Sequence, residues 1–442
     1  MTRARAASRS RGALSVIAPA LFFPALLVTS ARAQAPSFQG LGGASADTQS
    51  FALGVSGDGS TVVGLRTSTT TAGLSRGFKW TSAQGFQILD PIVGQFSSRA
   101  ADTNFDGSLI VGTSTQPPTV SLTASWTAPG PASGLVPLPL SAYVAGMSDS
   151  GVTIGDYLQG PAVIGYRFTG TEFAALLGFG GASANTNAVG ISPEGSVVVG
   201  RAATDSGFRA ARWNAGNSAA IALPQLTGTA DAYAIDTSAN GTVTVGATRL
   251  SASGPTVATL FATFKARDLG TLPPLDSSAD WQASAIRSDG EVIVGSGYQP
   301  ISDTAVVFIW TRPMGLRNLQ DYLANDLGLA AQLAGWTLRS VSDMNALGTV
   351  IVGSGINPQG REEAWIAQVP WYCPADFDGS GFSDVDDFAL FVRQFELGCE
   401  APGVPAPGCI VSADVDHSGF IDSGDFETFV HRFINIDCAF PQ

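Results

Sequence analysis

One ten-residue pattern recurs seven times in this chain and limits what it can become. Ile191–Gly200 reads ISPEGSVVVG: a strand end, a tight turn at Glu194 and Gly195, and a second strand of β-branched residues. The other copies are Val55–Gly64, Thr103–Gly112, the shortened Met147–Gly155, Asp236–Gly246, Ile286–Gly295 and Val341–Gly353. Each ends in a glycine (Gly64, Gly112, Gly155, Gly200, Gly246, Gly295, Gly353) that is expected to close its strand. The glycines are separated by 48, 43, 45, 46, 49 and 58 residues. A hairpin cannot bury its apolar faces alone, so the copies must stack. A period in the forties built of short strands is the mark of propeller blades.

Each copy continues the same way. An aromatic strand follows the glycine: FKWT (Phe78–Thr81), ASWT (Ala124–Thr127), YRFT (Tyr166–Thr169), ARWN (Ala211–Asn214), FIWT (Phe308–Thr311) and EAWIA (Glu363–Ala367). In the fifth copy Phe261 or Phe264 takes this place. A last strand then ends at Leu89, Leu138, Leu176, Leu223, Leu269 or Leu319. The seventh copy lacks it, and Phe38-Gln39-Gly40-Leu41 stands unclaimed at the other end. An N-terminal strand that completes the last blade leaves no open edge. The expected fold is therefore mostly β: a seven-bladed propeller of four-stranded blades over 34–370, preferred to an open solenoid or a β-sandwich.

Residues 1–33 carry Arg3, Arg5, Arg9 and Arg11, an apolar run from Ala13 to Val28, and Ala31-Arg32-Ala33. This reads as a secretory signal peptide. As a membrane anchor the run is short and interrupted by Pro19 and Pro24. A secreted, cell-surface or periplasmic location is expected. The net charge of −13 argues against nucleic-acid and anionic-membrane partners. Residues 34–370 contain no cysteine, no histidine and only two lysines, Lys79 and Lys265. That excludes a Ser-His-Asp triad, a His-based zinc site and a cysteine nucleophile there. Carboxylate-pair chemistry remains open. Its candidates are Asp102, Asp156, Glu172, Asp231, Asp236 and Asp343, none in an identifying spacing, so they are expected to be turn and loop residues.

Asp58-Gly59, Asp106-Gly107, Asn240-Gly241 and Asp289-Gly290 are read as hairpin turns, not metal ligands. Trp80, Trp126, Trp213, Trp310 and Trp365 recur in register and are assigned to the core between blades; Trp281 and Trp336 precede the hairpin in their copies. In the insertion NLQDYLANDLGLAAQL, Leu319, Tyr322 and Leu323 fall at helical spacing and predict a short amphipathic helix ending before Gly328, with Asp321 and Asn325 on its polar side. It is expected to cap one end of the ring.

The pattern S-x-D-G-S-x-V-V-G, then A-x-x-W, then G-x-x-x-L, with LQDYL and REEAWIA in the last copy, resembles the extracellular HAF-type repeat proteins over residues 38–369. The resemblance implies a secreted or surface propeller. It brings no activity and no site.

Composition changes at Val369-Pro370-Trp371. Residues 371–442 carry 13 acids and two arginines. Asp376–Asp387 (DFDGSGFSDVDD) and Asp414–Asp425 (DVDHSGFIDSGD) lie 38 residues apart and match at every ligand position. Oxygen donors stand at loop positions 1, 3, 5, 9 and 12: Asp376, Asp378, Ser380, Asp384 and Asp387, then Asp414, Asp416, Ser418, Asp422 and Asp425. Gly381 and Gly419 sit at the sharp bend, and Phe382 and Phe420 offer backbone carbonyls. This is the donor set of a hard cation, so two Ca²⁺ ions are expected. Pro374 and the stretch Glu400–Gly408 leave no room for entering helices. Exiting helices are predicted from two matching stripes: Phe388, Phe391, Val392, Phe395, and Phe426, Phe429, Val430, Phe433. The two units must pack face to face to bury them.

Paired loop–helix units over residues 372–438 resemble a dockerin, and Cys373, Cys399, Cys409 and Cys438 resemble those of its cysteine-bearing GC-type variant. The resemblance implies a cohesin-like partner chosen by loop positions 10 and 11. Here these are Val385-Asp386 and Ser423-Gly424, unlike each other and unlike the usual Ser-Thr. Four cysteines allow three pairings; Cys373–Cys399 with Cys409–Cys438, one clasp per unit, is the expected one. His417 and His431 are expected to be exposed polar residues. The function that emerges is non-catalytic: a propeller presenting a surface to a polysaccharide or protein, with a calcium-dependent module attaching it to a partner. The alternatives are a polysaccharide-active propeller hydrolase or lyase, and a structural surface protein whose calcium serves folding alone.

Overall fold

The computed structural model describes residues 35–435 except 44, 46–47, 71–73, 117–119, 135–141, 183–184, 381 and 401–406. The signal-peptide reading, Leu138, Gly381 and Cys438 lie outside these.

The repeats fold as antiparallel meanders. In the fourth, Thr186–Ile191, Val197–Thr204, Gly207–Asn214 and Ala219–Ala222 pair in order. Among the described residues the strands form six sheets: four of four strands, one of five and one of eight. The larger two arise where one meander's outer strand pairs in parallel with a short strand of the next, as Phe173–Phe179 does with Ala219–Ala222. The inner strands Thr48–Val55, Ser97–Thr103, Tyr143–Met147, Thr186–Ile191, Asp231–Thr237, Asp280–Ile286 and Thr337–Met344 contact one another in that order, and the last contacts the first. The result is a mostly-β, propeller-like architecture.

The seam closes as the permuted sequence requires. Ser37–Gly40 pairs antiparallel with Glu362–Gln368, placing Phe38 opposite Ala367. Phe38 is buried, its ring 5.3 Å from Trp336 and 5.9 Å from Trp365. The last sheet thus gains the fourth, outer strand that its own repeat lacks.

The repeat glycines do not close their strands. Val197–Thr204 runs four residues beyond Gly200, and the other strands behave alike. The register shifts one residue between Ala188 and Gly190 on the inner strand, a β-bulge that recurs in every repeat and pushes a backbone carbonyl toward the glycine opposite. A Cβ on Gly200 would stand 1.9 Å from the Asn187 carbonyl oxygen, and one on Gly112 1.9 Å from that of Arg99. The glycine is required by close approach, not by a turn.

Between neighbouring meanders the core is apolar. Ile154 and Leu176 of one pack with Val198, Ala211 and Trp213 of the next. The indole N–H groups of Trp213 and Trp126 donate to the carbonyls of Leu177 and Asp90 at 2.8 Å, reaching the outer strand of the preceding meander. Trp80, Trp281 and Trp365 are also buried, while Trp310 and Trp336 are half-buried. In the fifth repeat Phe261 takes the core position and Phe264 is exposed.

The insertion is helical, but only Leu319–Asp321 is α; Tyr322–Asp326 forms a π turn before Gly328. Leu319 and Leu323 are buried as the spacing requires. Beyond the ring lie helices α1 (Val385–Glu396) and α2 (Ser423–Asn435). Their stripes face each other: Phe391 and Phe429 stack at 4.0 Å and 12°, and Phe377 meets both edge-on at 5.5 Å. No helix among the described residues is long and apolar enough to cross a membrane.

Candidate functional site

The hairpin turns carry a shared device. The first polar residue of each turn accepts the N–H that opens the next strand: Ser56 from Thr61, Asn104 from Leu109, Ser148 from Val152, Ser192 from Val197, Ser238 from Val243 and Asn345 from Val350. The Asp-Gly pairs belong to these turns, with Gly59 at φ +76° donating to the Ser56 carbonyl at 2.8 Å. The sixth copy departs twice. Arg287 replaces the Ser or Asn, and Glu291 stands where Ser60, Ser108, Ser196, Thr242 and Thr349 stand elsewhere.

Both departures serve the contact with residues 371–435. Glu291 is fully buried. Arg312 grips it with two nitrogens at 2.9 and 3.1 Å, Arg432 donates to it at 2.6 Å, and His417 Nε2 lies 3.1 Å away. Burial alone would raise the Glu291 carboxyl; Arg312, then Arg432 and His417, outweigh it and hold it well below the usual carboxylate range. Arg312 also donates to the Asp414 carbonyl at 2.6 Å, and Arg287 to that of Tyr372 at 2.7 Å. Lys265 pairs with Glu400, Arg267 with Asp414 at 2.5 Å, and Phe264 meets Phe420 at 6.0 Å. His417 is thus buried, not exposed: at φ +58° it turns into the contact with the ring. His431 is exposed, as expected.

The two acidic loops share their main hydrogen bonds. Asp387 accepts the N–H groups of Asp378 and Asp384 at 2.9 and 2.8 Å, and Asp425 those of Asp416 and Asp422 at 3.2 and 2.9 Å. Asp376, Asp378 and Asp387 offer oxygens within 4.8 Å of one another, and so do Asp414, Asp416 and Asp425. Among the described residues these are the groups that could hold a metal. Positions 1, 3 and 12 therefore converge. The others have local partners: the Ser380 and Ser418 hydroxyls donate to the Phe382 and Phe420 carbonyls at 3.4 and 3.3 Å. Asp384 caps α1 through the Asp386 N–H, and Asp422 accepts that of Gly424. Burial, with Asp416 and Asp414 adding repulsion, pushes the Asp425 carboxyl up to about 7. Converging like charges around a buried oxygen acceptor fit a divalent, oxygen-loving cation.

The cysteines pair otherwise than expected. Cys399 bonds Cys409, with Cα atoms 5.3 Å apart, so neither Cys373–Cys399 nor Cys409–Cys438 forms. Cys373 is also disulfide-bonded. The end of α1 and the entry to the second loop lie side by side, with the Ala413 N–H on the Cys399 carbonyl at 2.8 Å. That neighbourhood clasps the joint between the units instead of each unit.

Of the six carboxylates proposed for chemistry, only Glu172 is an exposed turn residue; Asp102, Asp156, Asp231, Asp236 and Asp343 are on strands. Asp102, Asp236 and Asp343 directly follow the bulged residue of their inner strands and line a central cavity of about 190 Å³. Each spans two meanders. Asp102 accepts from Thr103 and Met147, Asp236 from Thr237 and Ile286, Asp343 from Met344 and Val55, at 2.7–2.9 Å. Burial raises all three, Asp102 to about 7, Asp236 to about 6 and Asp343 well above its usual value, with mutual repulsion adding to Asp102 and Asp343. Aligning the seven repeats puts the three in one column, two residues before the first polar residue of the turn, but spacing within a single repeat does not show that the column faces a shared cavity.

No protein-family model and no curated protein matches the chain. Solved structures do. The oligogalacturonate lyase of Vibrio parahaemolyticus is similar at 10% identity over 76% of this chain and 98% of that one (TM-score 0.48). The β-propeller domain of the trilobed protease from Pyrococcus furiosus is similar at 8% identity over 61% and 83% (TM-score 0.43). TolB of Acinetobacter baumannii is similar at 10% identity over 74% and 64% (TM-score 0.37).

Proposed function

We propose that this is an exported, seven-bladed propeller that binds without catalysis and is attached to a partner by its calcium-loaded, dockerin-like C-terminal module. The seven inner strands in cyclic contact support the blade count. The two matching carboxylate groups support two Ca²⁺ sites. A buried disulfide and the arginine-rich, apolar N-terminus support export.

The observation that carries the attachment role is an asymmetry between the units. The second loop is spent on the ring through Asp414, His417 and Phe420. The first turns its Asp376 and Gly379 toward Pro313 of the ring but leaves its far side to solvent, with Phe382 and Val385 each more than 70% exposed. Val385 occupies loop position 10, where the dockerin resemblance puts partner choice. One unit fixes the module; the other is left for a cohesin-like or other surface partner, in a single binding mode. The test immobilises the mature chain over exported proteins, with calcium and with excess chelator. A partner retained only with calcium, and lost on Val385→Asp, is expected. Retention indifferent to both overturns the attachment role and leaves calcium as a folding ion.

The hydrolase or lyase alternative has one observation in its favour, the three acids of the central cavity. Against it, both oxygens of each acid already accept main-chain N–H groups and tie neighbouring blades together.

A further inference from the structure

The end of the ring away from the hairpin turns holds a second cavity, of about 440 Å³, lined by Arg99, Tyr143, Asp156, Asn187, Arg201 and Tyr233 with three small apolar residues. That volume lies within the roughly 300–1,000 Å³ of small-ligand sites. Arg99, Tyr143, Asn187 and Tyr233 stand near the starts of their inner strands, remote from the turns that contact residues 371–435.

Two guanidinium groups face this space in a chain whose net charge is −13. Each lies on an aromatic ring: Arg99 over Tyr143 at 5.2 Å and Arg201 over Phe208 at 4.4 Å. Neither takes part in an ion pair among the described residues. Arg99 Nη1 is shut off from solvent, so a ligand meets Arg99 through its remaining guanidinium nitrogens, which no hydrogen bond among the described residues engages. Arg201 gives its Nε to Asn187 Oδ1 at 2.9 Å, and Asn187 gives its amide to Asp156 at 3.0 Å. That chain of bonds fixes Arg201 and keeps its outer nitrogens free to donate. Asp156, which accepts from Asn187 on one oxygen and from the Ala188 N–H at 2.9 Å on the other, has a further lone pair on each for a ligand hydroxyl within the same cavity.

The requirements on a ligand are therefore mixed. Planar donors call for a carboxylate. An acceptor carboxylate and the half-exposed Tyr143 call for hydroxyl groups and a flat apolar face. A simple carboxylate would be repelled by Asp156; a neutral sugar would leave Arg99 unpaired. We infer that this mouth of the ring binds an acidic saccharide, its carboxylate on Arg99 and Arg201, a hydroxyl on Asp156 and a ring face on Tyr143. The inference rests on the reading of the propeller as a binding protein and names its ligand class.

The experiment is calorimetric titration of the mature chain with a glucuronate trimer, its methyl-ester form and an acidic tetrapeptide. Saturable binding of the trimer is expected, weakened about tenfold or more by Arg99→Gln and by Arg201→Gln, and by esterification. Arg76→Gln, on the third strand of the first meander and outside the cavity lining, should leave it unchanged. Unfolding midpoints of the variants show that each is folded, and Arg99→Lys should recover part of the affinity. No binding of the trimer, binding indifferent to both arginines, or equal binding of the tetrapeptide overturns the assignment. Shortened trimer released by the wild type but not by Arg99→Gln keeps the site and overturns the non-catalytic reading, so the two failures are distinguishable.

Discussion

Glu291 shows how one substitution in a repeat redirects a surface. At the other turns a serine or threonine at this point faces solvent or its own turn; here a carboxylate, fully buried, gathers Arg312, Arg432 and His417. Burying a charge is tolerable only when its partners are complete, and removing one partner strands the rest. Glu291→Ala should therefore cost about 3–5 kcal/mol of the module's hold on the ring. Limited proteolysis between Val369 and Cys373 would read it, with cleavage accelerated in the variant and little change in the ring's own strands. The sequence showed both anomalies, Arg287 and Glu291, to anyone aligning the seven turns. What it could not show was Arg432, which arrives from a helix 141 residues later. The same holds for Asp102, Asp236 and Asp343. Their shared place two residues before the turn was visible in the same alignment; what it could not show was their partners, which are backbone N–H groups of the next meander. Their raised values have a consequence for stability. A folded carboxyl above its unfolded value binds more protons when folded, so stability falls as pH rises between the two. That window runs from about 4 to about 7 for Asp102 and to about 6 for Asp236. In calcium-loaded protein the unfolding midpoint should drop from about pH 5 to about pH 8. The drop should shrink in Asp102→Asn. A midpoint that rises over this range would show that the cavity acids are solvated.

The strand that follows each turn was legible in its residues, and the reason for its glycine was not. Periodicity located Val197–Thr204 and its partners, and β-branching gave their type. The glycine, however, is demanded by a bulge on the facing strand, a matter of register. Gly200→Ala would drive a methyl group into the Asn187 carbonyl and should destabilise by roughly 1–3 kcal/mol, measured by chemical denaturation. An unchanged midpoint would mean that the bulge relaxes freely. The paired helices were legible for a firmer reason: the same apolar stripe appears twice, 38 residues apart, and the only way to bury both is against each other. Phe377, which locks that stack edge-on, was hidden inside a loop read for its oxygens. The insertion showed where its buried leucines would lie but not its wider π turn, since Leu319 and Leu323 satisfy either geometry.

At the scale of the molecule, closure was the strongest inference available from the chain, because a missing strand at one end and a surplus strand at the other admit few other solutions. The order of the cysteines was the weakest. One clasp per unit treats the units as independent, whereas Cys399–Cys409 joins the end of one to the entry of the next. A module stapled at its joint and held to the ring chiefly by its second loop is a fixed appendage whose exposed side is that of Phe382 and Val385. The account depends on calcium filling both carboxylate groups. Calorimetric titration of the mature, metal-stripped chain with Ca²⁺ measures this most directly. Two ions per chain are expected, falling to one in Asp387→Asn, with each ion at a hundredfold excess over its Kd adding about 2.7 kcal/mol to stability. No calcium heat, and an unfolding midpoint indifferent to chelator, would contradict the central claim.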